Sequence, residues 1–174
     1  TVVDYYKSLD SKIPSKVDIY KNPGRYKSCF LKYLKNSDML ITGHFYDSKA
    51  PFLFKKKDIV KIKKLKVVAD ISCDIDGPIA CTIRPSKITS PIYGYNPMTF
   101  KEDDFLNEEV IAVMAVDNLP CELPKDASVY FGKELIKKVI PNFLKDDDGI
   151  IKKATITKSG NLTENFKYLE DYIS

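Results

Sequence analysis

Three short apolar runs occur along the chain, and each gives way abruptly to polar residues. They occupy residues 39–43, 66–71 and 110–116. Apolar runs of this length without polar alternation are typical of strands that are buried on both faces of a parallel sheet. A helical pattern lies between the first two runs, and a strand, helix, strand order implies a crossover connection. The pattern therefore predicts an α/β fold with a parallel sheet and flanking helices.

The helical patterns differ in strength. Apolar residues recur close to every 3.6 positions between Pro124 and Leu144, and the proline suits a helix start. Weaker patterns predict a helix between Pro23 and Leu34, a short helix within 52–62, a strand at 154–157 and a terminal helix at 163–173. Proline and glycine predict a long loop or hairpin excursion at 75–108. We expect one domain over 1–145, with 146–174 forming a C-terminal strand and helix that pack back on it.

Composition excludes several classes of protein. Of 174 residues, 44% are hydrophobic and 30% are charged, which is typical of a chain that buries a core and not of a disordered one. The net charge of +4 and the pI near 8.7 are too mild to indicate a nucleic-acid partner. The sequence shows neither a long apolar span nor a secretory signal pattern, so we expect a cytoplasmic protein with no membrane partner.

The polar residues that follow the apolar runs are the candidate functional residues. They are Gly43, His44 and Phe45 after the first run, 70–76 after the second, and Asp117, Asn118, Leu119 and Pro120 after the third. In an open parallel sheet, ligands bind outside the carboxyl ends of the strands, so we expect a site there. A purely structural interpretation stays open, because every α/β sheet has such strand ends and the fold alone does not specify function.

The second strand end holds three carboxylates, Asp70, Asp74 and Asp76, at even spacing. An extended chain would present them on one side. Closely spaced like charges raise the pKa of at least one carboxyl group, as proton transfer requires. A site for a hard cation is one alternative, and a solvated surface loop is another. Because the spacing is not that of a calcium-binding hand, we predict no metal site.

Histidine and cysteine offer little further chemistry. His44 is the only histidine, which excludes a site built from several histidines. The cysteines match no Cys-x-x-Cys pattern and indicate free thiols; they are Cys29, Cys73, Cys81 and Cys121. A nucleophilic pair of His44 with Cys73 or Cys121 remains an alternative.

The lysines offer a possible binding surface, and the glycines lack the pattern of a phosphate-binding loop. Seven lysines between Lys55 and Lys66 are typical of a solvated helix face, and a surface that contacts a polyanion is the alternative. The seven glycines include no Gly-x-Gly pattern. The usual pyrophosphate loop of a dinucleotide site is therefore not encoded in this sequence.

Two segments, Val67–Asp74 and Ala115–Ser128, resemble the saccharopine dehydrogenase and lysine-ketoglutarate reductase family, which is related to alanine dehydrogenase and transhydrogenase. The resemblance extends through Tyr20–Tyr26, Ile41–Tyr46, Lys49–Pro51 and Ala154–Thr157, and so covers nearly the whole chain. It implies a Rossmann-type parallel sheet with flanking helices, which is incomplete without an upstream half. Where relatives carry Asp-x-Gly-Gly, this chain has Ile75-Asp76-Gly77-Pro78, so the substrate-side loop differs.

The resemblance also implies an activity. The family forms or oxidises the C–N bond of an amino acid with NAD or NADP, for example by condensing lysine with 2-oxoglutarate and reducing the imine. The implied protein is thus an oxidoreductase of lysine metabolism whose partners are amino-acid and 2-oxo-acid substrates and its own N-terminal half. In that family the glycine-rich loop and the catalytic Lys and His precede the point that matches Thr1, so we expect this chain to be inactive alone.

Roles for individual residues follow from the same resemblance. Asp74 falls on the aspartate that assists proton transfer or orients substrate, and it is the candidate catalytic residue. Residues 117–120 fall on the motif that meets the nicotinamide end of the cofactor, and Gly43, His44 and Phe45 fall on the loop along its ribose. The alternative function is a non-catalytic fragment or binding module that contacts a polyanion through its lysines.

Overall fold

The computed structural model describes residues 5–10, 13–44 and 50–173. The chain divides into two compact units, and the boundary lies between Glu122 and Leu123. The domain limits expected from the sequence, 1–145 and 146–174, stay a prediction. Within the described ranges, every helix is too short or too polar to cross a membrane.

The first unit alternates short strands with short helices. Its elements are β1 Tyr6–Ser8, α1 Lys16–Lys21, β2 Tyr26–Ser28, α2 Leu31–Leu34, β3 Met39–Thr42, α3 Lys56–Ile59, β4 Val67–Asp70, β5 Ile92–Asn96, β6 Lys101–Asp103 and β7 Ile111–Met114. The helix predicted between Pro23 and Leu34 is wrong over its first part. Tyr26 is buried there, and β2 pairs with β1 in an antiparallel ladder that no local helix could form.

The main sheet has five strands in the order β3-β4-β7-β5-β6. Strands β3, β4 and β7 run parallel to one another, whereas β5 runs antiparallel to both β7 and β6. The three apolar runs are therefore confirmed as adjacent parallel strands. This mostly parallel sheet with flanking helices confirms the α/β, Rossmann-type fold class.

Burial of the parallel strands alternates from residue to residue. Leu40, Val68 and Val113 lie on the face that carries the core, and each is buried. On the opposite face, Met39 is 55% exposed and Ile41 is 63% exposed. The expectation of strands buried on both faces is thus wrong for β3, because one of its faces is not covered by the described chain.

A hairpin of β5 and β6 extends the sheet on the far side of β7. The Arg84 guanidinium donates to both carboxylate oxygens of Glu102 at 2.7 and 2.6 Å. It also lies over the Tyr93 ring, 4.4 Å from its centroid. The Tyr93 hydroxyl donates to the Cys81 carbonyl at 2.9 Å, so the hairpin is held against the loop that follows β4.

The second unit is mostly helical. Its elements are α4 Pro124–Glu134, a π-helical segment Leu135–Val139, α5 Ile140–Leu144, α6 Ile150–Ala154, β8 Thr157–Lys158, β9 Asn161–Leu162 and a 3-10 helix Glu164–Tyr172. The predicted helix over 124–144 is confirmed. Pro141 cannot donate a backbone hydrogen bond, which accounts for the irregular turn that precedes it. The strand predicted at 154–157 is wrong, because α6 extends to Ala154 and only Thr157–Lys158 pairs with β9.

We predict that Gly94→Ala destabilises the first unit. An added Cβ would lie 2.4 Å from the Asp103 carbonyl oxygen and 2.6 Å from a Val110 methyl carbon. Relieving such an overlap costs about 1–3 kcal/mol, because the backbone of the hairpin must shift. Urea unfolding of the variant checks this value.

Gly132→Ala is the matched control for this substitution. An added Cβ there meets no described atom within 4 Å, and the position lies inside α4. Alanine at a helical position is favoured over glycine by about 0.5–1 kcal/mol. Equal stability of the Gly94→Ala variant and the unsubstituted protein would show that β5 and β6 are not packed as closely as described.

Candidate functional site

A buried carboxylate lies at the end of β4. Asp70 is 0% exposed. Its Oδ1 accepts a hydrogen bond from Thr42 Oγ1 at 2.7 Å, and its Oδ2 accepts one from Thr82 Oγ1 at 2.6 Å. The parallel register pairs Thr42 with Asp70, which places the two side chains on the same face of the sheet. These hydroxyl donors offset the cost of removing a carboxylate from water.

The same carboxylate shapes the loop that follows β4. Asp70 Oδ1 also accepts from the backbone N–H groups of Ser72 and Cys73, at 3.1 and 3.2 Å. Asp residues commonly bond the backbone two or three residues on, in place of a regular ladder. Cys73 and Asp76 both have positive φ, 52° and 51°, so the chain turns sharply here.

The sharp turn separates the three carboxylates. Asp70 is buried, Asp74 is partly buried, and Asp76 is exposed and pairs with Lys56 at 3.7 Å. The expectation that an extended chain presents all three on one side is wrong, because the positive φ at Cys73 ends the extended conformation. Only Asp70 and Asp74 belong to the strand-end site.

His44 connects the end of β3 to the same loop. Its backbone N–H donates to Ser72 Oγ at 3.0 Å, and its Nδ1 lies 3.2 Å from that oxygen. Ser72 is itself held by Asp70 through its backbone. The ends of β3 and β4 are thus joined by side-chain bonds in addition to the sheet ladder.

Asp74 lies next to this network. Partial burial raises the pKa of the Asp74 carboxyl above its ordinary value, and the nearby charge of Asp70 raises it further, whereas His44 lowers it. The backbone N–H of Gly77 donates to the Asp74 carbonyl at 3.1 Å, and an added Cβ at Gly77 would lie 2.7 Å from that oxygen. The tight turn therefore requires glycine and fixes the Asp74 backbone.

Cys73 connects this loop to the end of β7. Its thiol donates to the Ala115 carbonyl at 3.1 Å. Burial raises the pKa of the Cys73 thiol, and the charges of Asp70, Asp117 and Asp74 raise it further. A raised pKa disfavours the thiolate, which opposes a role of Cys73 as a nucleophile paired with His44. Asp117, which follows β7, therefore lies near Cys73 as well.

The remaining site residues predicted from the sequence follow β7, apart from Gly43 and Phe45. Asp117 and Asn118 form an exposed turn after β7, and Leu119 and Pro120 begin the 3-10 helix Leu119–Glu122. Neither Asn118 nor Pro120 has a contact with Asp74 among the described interactions. Phe45 lies outside the described residues.

Gly43 and a small cavity lie at the end of β3. An added Cβ at Gly43 would meet no described atom within 4 Å, so its backbone faces open space. Beside it is a cavity of about 200 Å³ whose lining includes Tyr5, Tyr20, Phe30 and His44. Across the described residues we find no cluster of three or more His, Cys, Asp or Glu side chains that could hold a metal ion.

Sequence reasoning missed the hydroxyl groups that support the site. Thr42 and Asp70 are each the last residue but one of an apolar run, so a parallel register between the runs could have paired them. Thr82 follows 12 residues after Asp70 in an irregular loop, and nothing in the sequence marks its contact. Ser72 lies within the candidate range 70–76, but the sequence does not indicate the contact of its hydroxyl with His44.

Comparisons with known proteins identify the family of the chain. The family model described as alanine dehydrogenase/PNT, C-terminal domain, matches residues 4–165. The chain is 28% identical, over 91% of its length, to alpha-aminoadipic semialdehyde synthase of Arabidopsis thaliana. It is 28% identical, over 88% of its length, to the mitochondrial alpha-aminoadipic semialdehyde synthase of Rattus norvegicus. It is 26% identical, over 63% of its length, to saccharopine dehydrogenase (NAD(+), L-lysine-forming) of Neurospora crassa.

The chain spans 16%, 20% and 28% of the lengths of these three curated relatives. The family match, by contrast, extends from before β1 to the 3-10 helix of the second unit, and so includes all three parallel strands with the polar residues at their ends. The chain therefore belongs to the alanine dehydrogenase/PNT C-terminal domain family.

Proposed function

We propose that this chain is the C-terminal portion of an NAD(P)-dependent oxidoreductase that acts on the C–N bond of an amino acid, of the saccharopine dehydrogenase or lysine-ketoglutarate reductase type. The observation that carries the proposal is the partly buried Asp74, whose carboxyl pKa is raised beside buried Asp70 where β3 and β4 end. The names of the relatives support the same reaction class.

The cofactor would contact the strand ends. Gly43, His44, Phe45 and residues 117–120 would hold the nicotinamide and ribose end, and the open space at Gly43 is compatible with such an approach. The chain contains no Gly-x-Gly pattern for the pyrophosphate. In this proposal the chain would contact one end of NAD or NADP, and another part of the protein would hold the phosphates. When bound, the nicotinamide supplies hydride transfer.

Asp74 would move the proton that accompanies this chemistry. Conversion of an amine to an imine removes a proton from the substrate nitrogen, and the reverse reaction returns it. A carboxyl group with a raised pKa holds and releases a proton more readily near neutral pH than an ordinary aspartate does. Asp70 keeps the Asp74 loop in place through its bonds to the Ser72 and Cys73 backbone.

The partners follow from the same proposal. The substrates would be an amino acid and a 2-oxo acid, and an N-terminal half of the enzyme would supply the phosphate loop and the catalytic Lys and His. The chain alone would then be inactive. A cytoplasmic location stays a prediction; the Rattus norvegicus relative is named as mitochondrial.

A binding module that contacts a polyanion is the alternative function. A cleft of about 570 Å³ is lined by four lysines and one acidic residue, which are Lys27, Lys55, Lys57, Lys61 and Asp58. This excess of positive charge favours an anionic partner. Such binding would weaken steeply as salt concentration rises, which distinguishes it from binding at the strand ends.

We predict that Asp74→Asn lowers turnover far more than it lowers affinity for NAD(P). Loss of a positioned proton-transfer group costs about 10²- to 10⁴-fold in rate. The measurement is NAD(P)H oxidation with lysine and 2-oxoglutarate, made on the enzyme that contains this chain with its N-terminal half. Asp76→Asn is the control, because the exposed Asp76 side chain pairs only with Lys56 among the described residues. Near-normal turnover of Asp74→Asn would contradict the assignment.

We also predict a distinctive dependence of turnover on pH. The pKa of Asp74 is raised, so its carboxylate form is lost at a higher pH than that of an ordinary aspartate, near 3.9. In the amine-oxidising direction, where the carboxylate accepts the proton, kcat should fall as pH decreases through this raised pKa. The acid limb of the kcat profile should be absent in Asp74→Asn. An unchanged limb in that variant would assign the titration to a different group.

A further inference from the structure

The imidazole of His44 carries an unsatisfied polar atom. His44 Nε2 is buried, and it has no hydrogen-bond partner in the described part of the chain. Buried polar atoms in native proteins nearly always have a partner, which is protein, water or ligand. The unpartnered Nε2 therefore indicates that a bound molecule supplies its hydrogen-bond partner.

The contacts of Ser72 favour one position for the proton of the neutral His44 imidazole. Ser72 Oγ accepts the His44 backbone N–H at 3.0 Å, so its lone hydroxyl hydrogen must point elsewhere. Among the described residues, the atom near enough to accept this hydrogen is His44 Nδ1, which lies 3.2 Å from Ser72 Oγ. If the hydroxyl donates to Nδ1, the neutral imidazole carries its proton on Nε2. The buried, unpaired atom is then a hydrogen-bond donor.

This arrangement is held in place by the buried carboxylate. The Ser72 backbone N–H donates to Asp70 Oδ1 at 3.1 Å, and Asp70 is held in turn by Thr42 and Thr82. Ser72 is thus fixed with respect to the ends of both strands. The His44 ring is oriented through Ser72 and not by packing alone.

We propose that His44 is a ligand-binding residue whose Nε2–H donates a hydrogen bond to an acceptor oxygen of the molecule bound at the strand ends. The acceptor is a carbonyl, carboxylate or hydroxyl oxygen, as found both on a nicotinamide riboside and on a 2-oxo acid. This inference rests on the proposed function and deepens it, because it separates two roles. Asp74 moves the proton, and His44 orients an oxygen as a donor and does not act as the base.

Two features support this division of roles. His44 is one of the residues that line the cavity of about 200 Å³ at the end of β3, so a volume that can hold a ligand lies beside this residue. His44 also lies near enough to Asp74 to interact with it electrostatically, so the two residues share this end of the sheet. Nε2 makes no hydrogen bond to any described residue, so a ligand oxygen would not have to displace a protein acceptor.

The tautomer can be measured directly, because His44 is the only histidine in the chain. Nitrogen NMR of the chain with ¹⁵N-labelled histidine, at a pH well above the ordinary imidazole pKa of about 6.5, should show one fixed tautomer with the proton on Nε2. In Ser72→Ala the two nitrogen shifts should move toward those of free imidazole. Ser90→Ala, at an exposed position, is the control and should leave them unchanged. A proton on Nδ1 in the unsubstituted chain would overturn the inference.

The ligand contact is tested separately on the enzyme that contains this chain with its N-terminal half. Dissociation constants of NAD⁺, NADP⁺ and 2-oxoglutarate are measured for His44→Ala and for His44→Gln, which retains a donor. Loss of one hydrogen bond should raise the Kd of the ligand that carries the acceptor oxygen about 3- to 10-fold in His44→Ala, and less in His44→Gln. The ligand whose Kd rises identifies the source of the oxygen.

The outcomes separate this inference from the proposed function. Unchanged Kd values for all three ligands in His44→Ala would overturn the role of His44 and leave the proposed dehydrogenase function in place. Absence of NAD⁺ and NADP⁺ binding by the unsubstituted enzyme would contradict the proposed function, and the role of His44 would fail with it. An equal rise in His44→Ala and His44→Gln would show that shape and not the donor matters, which also overturns the inference.

Discussion

The buried carboxylate of Asp70 is the interaction on which the rest of the site depends. It accepts side-chain bonds from Thr42 and Thr82 and backbone bonds from Ser72 and Cys73. A buried donor left without its acceptor costs about 1–3 kcal/mol, so removal of this one group would affect every element that it contacts. The carboxylate thereby joins β3, the end of β4 and the loop that leads to the hairpin.

The candidate chemistry follows from where Asp70 holds its neighbours. The loop after β4 turns at Cys73, whose thiol contacts the carbonyl that follows β7, and Asp74 is left partly buried beside Asp70. Burial and a neighbouring negative charge are the two conditions that raise a carboxyl pKa. The same loop places Ser72 against His44. The proposed proton-transfer group and the proposed hydrogen-bond donor would thus both depend on one structural feature, the buried Asp70.

The sequence predicts the parts of this arrangement that depend on short apolar runs. It correctly predicts the three parallel strands, and it directs attention to the residues at their ends, although the roles of those residues stay predictions. It fails where long-range pairing overrides the local pattern, as at Tyr26, which lies in a strand and not in the predicted helix. It also fails at Cys73, where a positive φ that no local signal indicates takes Asp76 away from the other carboxylates. The contact of Thr82 with Asp70 could not be predicted, because it depends on the path of an irregular loop.

The most direct test of this account is the free energy of unfolding, measured in urea, of Asp70→Ala. We expect a loss of about 3 kcal/mol or more, because several buried donors lose their acceptor together. Asp70→Asn should lose less, since an amide oxygen can keep the bonds that Oδ1 accepts from Thr42, Ser72 and Cys73. Asp38→Ala, which removes an exposed pair with Lys64, is the control and should cost no more than about 1 kcal/mol. A loss for Asp70→Ala as small as that of the control would contradict the central role of the buried carboxylate.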